Sequence, residues 1–178
     1  LREYKLAKNI FEKSLKIKPR DPLLLYNYGK FYHDQKLFDE AIKFYKESFK
    51  IEPKNNFSMY NIGNIYFALS KLDLAISAYR DSLKINPKNF LAHNNLANAL
   101  KNTGNFEEAI QYYKSSLKLK KDYPDIHINY ATQLLMLEDF EEGFEEYEWR
   151  KKSKSFSDYI NYSKLNLKSK VWNGENLD

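Results

Sequence analysis

One interval, 34 residues, recurs along this chain and constrains its fold more than any other feature. Asn27, Asn61, Asn95 and Asn129 are spaced by it, as are Pro19, Pro53 and Pro87. Ala7, Ala41, Ala75 and Ala109 follow the same spacing, with Gly143 next in line. A fixed period of this length marks a chain made of copies of one supersecondary unit, each too small to bury its own apolar face. With the three prolines set at position 32, full units begin at Pro22, Asn56, Phe90 and Pro124.

The unit then reads as two helices. Positions 4, 7, 8 and 11 fall on one helical stripe, with Tyr28, Ile62, Leu96 and Tyr130 at position 7 and Gly29, Gly63, Ala97 and Ala131 at position 8. A second stripe runs through positions 20, 24, 27 and 28, and position 24 is aromatic throughout: Phe11, Tyr45, Tyr79, Tyr113 and Tyr147. Small residues at positions 8 and 20 let the helices approach, and the large residues fill the space around them. A polar stretch such as Asn102-Thr103-Gly104-Asn105 supplies the turn. Proline after the second helix stops its propagation.

This pattern resembles the tetratricopeptide repeat, a helix–turn–helix unit. The expected fold is all-α, a right-handed solenoid of antiparallel helix pairs. Residues 1–21 are the second half of an earlier unit, four units follow at 22–55, 56–89, 90–123 and 124–150, and 151–178 form a basic linker. Lys121 stands where proline is expected, and Arg150 where earlier units carry Ser14, Ser48, Ser82 and Ser116, so the last unit diverges. The helix around Ala7 and Phe11 lacks its partner, and upstream repeats are expected to cover its apolar side. The chain begins at Leu1 without Met, which predicts a fragment of a longer protein.

Composition excludes several alternatives. Val171 is the one valine, which argues against strands. The absence of cysteine rules out a disulfide frame or a thiolate site and suits a reducing cytoplasm. No apolar run reaches membrane-spanning length. The net charge of +5 is too small and too dispersed for a phosphate-tracking groove, so no nucleic acid is expected as a partner. No acid–base pair, metal-ligand cluster or glycine-rich phosphate loop is legible, so neither catalysis nor a cofactor or metal is expected. His93 and His127 share one repeat position, which accounts for them without chemistry.

Binding is the remaining function. At about 100° per residue, positions 2, 6, 9 and 13 of the first helix lie opposite its core stripe. In tetratricopeptide arrays that face lines the concave groove, as the resemblance implies. The groove candidates are Asn27, Asn61, Asn95 and Asn129, with Asn64, Asn98, Lys30, Phe57 and Leu91 beside them. A primary amide offers two donors and a two-lone-pair acceptor, so a row of amides suits the backbone of an extended polypeptide. The carboxylate clamp found in some members of the family needs lysine where this chain has Tyr26 or Tyr60, and basic residues where it has Leu91 or Asp125. Without those cations a clamp for acidic C-termini is rejected.

A second resemblance lies at the end of the chain. Gly143, Tyr147, Glu148, Trp149 and Arg150, followed by Trp172-Asn173-Gly174, look like the junction in bacterial proteins where repeats precede a glycosyltransferase domain related to O-GlcNAc transferase. The resemblance implies a substrate-presenting arm whose catalytic domain would follow Asp178. The third expectation is a scaffold that associates with itself through the ends of the array.

Overall fold

The computed structural model describes residues 2–154, and within them the chain is all α. The helices are α1 (Arg2–Ile17), α2 (Pro22–Asp34), α3 (Phe38–Ile51), α4 (Asn56–Ala68), α5 (Leu72–Ile85), α6 (Phe90–Asn102), α7 (Phe106–Leu119), α8 (Pro124–Met136) and α9 (Phe140–Tyr147), with a 3-10 turn at Glu148–Lys152. The described residues fall into two compact units, divided between Lys121 and Asp122.

In the first unit each helix packs on its neighbours in sequence, from α1 on α2 to α6 on α7. Contact between non-consecutive helices also links α4 and α6, which puts the first helices of successive repeats on one face. This is the solenoid of helix pairs that the period predicts. Its core is built from the expected stripes: Tyr28, Ile62 and Leu96 are buried, and so are Tyr45, Tyr79 and Tyr113. A Cβ added at Gly63 would lie 2.6 Å from the Tyr79 ring, and one at Gly29 would lie 2.8 Å from Tyr45. Glycine at position 8 is therefore the space into which the aromatic of the second helix fits. The N-terminal end is rich in ring contacts, with Phe11 stacked on Tyr28 at 4.8 Å and Tyr4 on Phe31 at 5.0 Å.

Two hydrogen-bond series repeat with the period. Asp21, Asn55 and Asn89 cap α2, α4 and α6, each accepting from a backbone N–H in the first turn. Ser48, Ser82 and Ser116 are buried, and each Oγ donates to the carbonyl of the first residue of its own repeat: Pro22, Asn56 and Phe90, at 2.7, 3.1 and 2.7 Å. Each such bond ties the end of the second helix back to the start of the first. The turns share a further device. Lys36, Ser70, Gly104 and Glu138 occupy the same repeat position, and all have φ between 56° and 80°.

In the second unit, α8 pairs with α9, and the 3-10 turn packs on both. Here α9 has 8 residues, against 14 in each of α3, α5 and α7. Arg150 replaces the serine and cannot lie buried against the first helix, so the α-helix gives way to 3-10 winding at Glu148. Tyr147 is correspondingly exposed at 37%, which corrects the expectation that the position-24 aromatics all enter the core. Trp149 instead stacks on His127, with centroids 3.9 Å apart and rings parallel, while His127 pairs through Nδ1 with Glu146. Trp172-Asn173-Gly174 lies outside the described residues.

Among the described residues no helix is long and apolar enough to cross a membrane. The second half of the partial repeat, α1, exposes Leu6, Ile10 and Ile17, and α9 exposes Phe140 and Phe144.

Candidate functional site

The first helices present every groove candidate away from the core. Leu23, Asn27, Lys30 and Phe57 are exposed, and Asn61, Asn64, Leu91, Asn95, Asn98 and Asn129 are half-buried. Asn129, on α8, belongs to the second unit.

Within the first unit the amides are neither free nor isolated. Asn61 Nδ2 donates to the Tyr26 hydroxyl at 3.0 Å, and one repeat later Asn95 Nδ2 donates to Tyr60 at 3.2 Å. Asn61 and Asn95 therefore each hold a tyrosine of the preceding repeat, at the position where the carboxylate clamp would carry lysine. The sequence alone leaves this row open to ligand contact or to inter-repeat hydrogen bonding. In the fold, Asn61 and Asn95 also serve as inter-repeat fasteners. The signal was available: Tyr26 and Tyr60 are spaced by the same period as the asparagines, and each precedes one directly.

Second-helix tyrosines complete the network. Tyr79 Oη donates to Asn64 Oδ1 at 2.8 Å, and Asn95 Nδ2 donates to the same oxygen at 3.0 Å. One repeat on, Tyr113 Oη donates to Asn98 Oδ1. Burial pushes the Tyr79 and Tyr113 phenols well above their usual range, so they stay protonated donors. These hydroxyls project from rings that are otherwise core, and residue type at position 24 gave no hint that their tips reach the opposite face of the first helix.

Asn64, Asn95 and Asn98 converge with Phe67 and Tyr79 on a cleft of about 180 Å³ between the second and third repeats. A water takes about 30 Å³ of liquid, so the cleft has room for a peptide group. A larger and more open hollow of about 490 Å³ lies one repeat earlier, where Leu23, Tyr26 and Phe57 meet Asn55, Asn56, Glu52 and Lys54. Phe57 and Leu23 stand open at its edge, at 55% and 62% exposure. The Asn56 side-chain nitrogen beside it is buried without a partner. Together the two clefts offer amide donors, an aromatic wall and apolar edges, with Glu52 and Lys54 as the charged residues among their lining groups. Among the described residues no cluster of three or more potential metal ligands occurs.

Comparison with known proteins agrees with this architecture. A TPR repeat family profile matches residues 63–104, and tetratricopeptide repeat profiles match residues 23–55 and 90–123. Among solved structures, the chain is similar to the crystal structure of MamA, with a TM-score of 0.76 at 18% identity over 89% of this chain and 91% of that one. It is also similar to YrrB, described as a TPR protein with an unusual peptide-binding site, with a TM-score of 0.70 at 16% identity over 90% of this chain and 84% of that one. No curated protein matches the chain by sequence.

Proposed function

We propose that this chain, built of tetratricopeptide repeats, is a protein–protein interaction module that binds an extended polypeptide along the first-helix face, the concave side of such arrays. The observation that carries the reading is the convergence of Asn64, Asn95 and Asn98 on one aromatic-walled cleft. Leu23, Phe57 and Leu91 add apolar contact on the same face, and Asn27 and Lys30 extend it into the first full repeat. Asn129 holds the same repeat position on α8 of the second unit. The peptide-binding site ascribed to YrrB is consistent with a fold of this kind serving that purpose. No catalysis is assigned to the chain, and its lack of cysteine suits the cytoplasm.

The test is a triple substitution, Asn61→Ala, Asn95→Ala and Asn129→Ala. Affinity is measured for dodecapeptides selected on the wild-type chain from a random display library. The expected result is a loss of roughly tenfold or more with helical circular dichroism retained. The control is Tyr26→Phe with Tyr60→Phe, which removes the Asn61–Tyr26 and Asn95–Tyr60 hydrogen bonds and leaves the amides in place. Equal loss in the control would assign the asparagines to scaffolding alone.

A second reading, self-association, is favoured by the exposed apolar stripes Leu6, Ile10 and Ile17 on α1 and Phe140 and Phe144 on α9. Light scattering that stays monomeric across concentration would eliminate it. The reading as a substrate-presenting arm of a glycosyltransferase rests on the sequence from Gly143 to Arg150 and on Trp172-Asn173-Gly174. The gene sequence following the codon for Asp178 decides it.

A further inference from the structure

The internal hydrogen bonds of the cleft decide which half of each amide a ligand can meet. An amide oxygen has two lone pairs. Both of those on Asn64 are spent, one on the Tyr79 hydroxyl and one on Asn95 Nδ2. Asn98 Oδ1 accepts from the Tyr113 hydroxyl. Asn95 Nδ2 is committed to Tyr60 and Asn64, and its oxygen accepts from Asn94 Nδ2 at 3.1 Å. The side-chain N–H groups of Asn64 and Asn98 have no protein acceptor among the described residues. What the cleft offers outward is chiefly donor.

We infer that this cleft reads the carbonyl oxygens of an extended peptide in preference to its backbone N–H groups, through the side-chain nitrogens of Asn64 and Asn98. The inference rests on the polypeptide-binding reading and narrows it. An amide free to rotate pairs equally with a peptide N–H or C=O, whereas one pinned by its oxygen does not. Tyr79 and Tyr113 do the pinning, and both are buried, so the orientation is fixed before any ligand arrives. Lacking a cation, the cleft suits a neutral carbonyl over a carboxylate. A preference for carbonyls over N–H groups makes it tolerant of proline and of N-alkylated residues, whose carbonyls remain available. Phe67 and the Tyr79 ring provide the wall that a proline ring or other apolar side chain would lie against.

The test uses selected dodecapeptides whose affinity falls in the triple asparagine variant, so that failure of the parent reading is seen first and separately. If no such peptide exists, the polypeptide reading falls and this inference falls with it. For a qualifying peptide, Asn64→Asp and Asn98→Asp are each measured in the full chain. Aspartate keeps an acceptor for the tyrosine hydroxyl and replaces the outward donor with an acceptor. Affinity is expected to drop roughly tenfold or more. Unchanged or improved affinity would mean that ligand N–H groups are read, and would overturn the inference while leaving the parent reading intact. A peptide N-methyl scan against the wild-type chain gives the same answer without altering the fold. The expected result is less than about threefold change at every backbone nitrogen. A tenfold loss at two or more alternate positions would overturn the inference.

Discussion

The third repeat, α6 with α7, and the fourth, α8 with α9, have the same period and nearly the same core residues, yet their second helices differ. In the third, Asn89 caps the first helix and Ser116 ties the second helix back to its start. In the fourth, the cap position is Tyr123, which makes no side-chain cap, and the tie position is Arg150. The second helix accordingly stops after 8 residues, where its counterpart runs for 14. The apolar stripes decide that two helices form and pair. A half-buried cap at one end of the unit and a buried serine at the other decide how far the second helix runs. The fourth repeat has its own polar arrangement, His127 with Glu146 and Trp149, and Tyr130 Oη donating to Glu142 at 2.7 Å.

The largest test moves the fourth repeat's residue into the third. Ser116 is fully buried, so Ser116→Arg forces a guanidinium into a space built for a hydroxyl. A cost of about 3–5 kcal/mol is expected, with loss of helical ellipticity from the end of α7. A variant with an unchanged denaturation midpoint would show that the serine tie does not limit the helix.

Glycine gives the next contrast. A Cβ at Gly63 meets the ring of Tyr79, which is itself buried and has little room to move. A Cβ at Gly143 meets Leu135 Cδ2 at 2.8 Å and Cγ at 3.0 Å, a side chain with rotamers to spare, while the Leu135 backbone nitrogen lies farther off at 3.3 Å. Gly63→Ala is expected to destabilise by about 1–3 kcal/mol, whereas Gly143→Ala is expected to be close to neutral, because steric strain there trades against better helix propensity. Equal thermal shifts in the two variants would refute the distinction between ring and chain end.

The fourth repeat also buries a whole side-chain amide without a partner. Gln133 is fully buried, and neither of its side-chain polar atoms has a partner. Its equivalents are Phe31, Ile65 and Ala99, all apolar. Gln133→Leu removes the unsatisfied amide and should raise stability by about 1–2 kcal/mol, measured as a higher midpoint in urea. Loss of stability would mean that the amide is satisfied in solution.

Both units hold buried phenols. Burial raises the pKa of Tyr45, Tyr79, Tyr113 and Tyr130, with Glu142 adding to the rise at Tyr130. A group that ionises less readily folded than unfolded contributes its stability in full below the unfolded value, about 10 for tyrosine, and loses it as pH rises past that point. The phenols alone therefore predict a flat stability profile up to about pH 9 and a steep alkaline loss above pH 10, followed by tyrosinate absorbance.

How much of this was legible follows from what sets each feature. Helix number and pairing were, because apolar position and residue size carry them and both repeat in the sequence. Which face of the first helices turns away from the core was legible for the same reason, as the complement of the core stripe. The hydrogen-bond assignments within that face were not. They depend on where Tyr79 and Tyr113 end after packing and on contacts between repeats, such as Asn61 with Tyr26, that a wheel for one helix cannot contain. The serine tie was visible as a series and as a break at Arg150, but its partner, the carbonyl of the repeat's first residue, is a backbone atom without a sequence signature.

The smallest expected effect marks what the two repeats retain in common. Ser70 and Glu138 hold the same left-handed turn position, at φ 56° and 62°. Gly104, at φ 80°, fills that position in the third repeat. A side chain in this region costs about 1–2 kcal/mol, and glycine returns about half of that through its larger unfolded-state entropy. Ser70→Gly and Glu138→Gly should therefore each stabilise by about 0.5 kcal/mol. The gain should be equal in the regular and the divergent repeat, because the turn is a local device that neither the serine tie nor the cap touches. Unequal thermal shifts would show that the divergence of the fourth repeat begins at its turn, before the second helix starts.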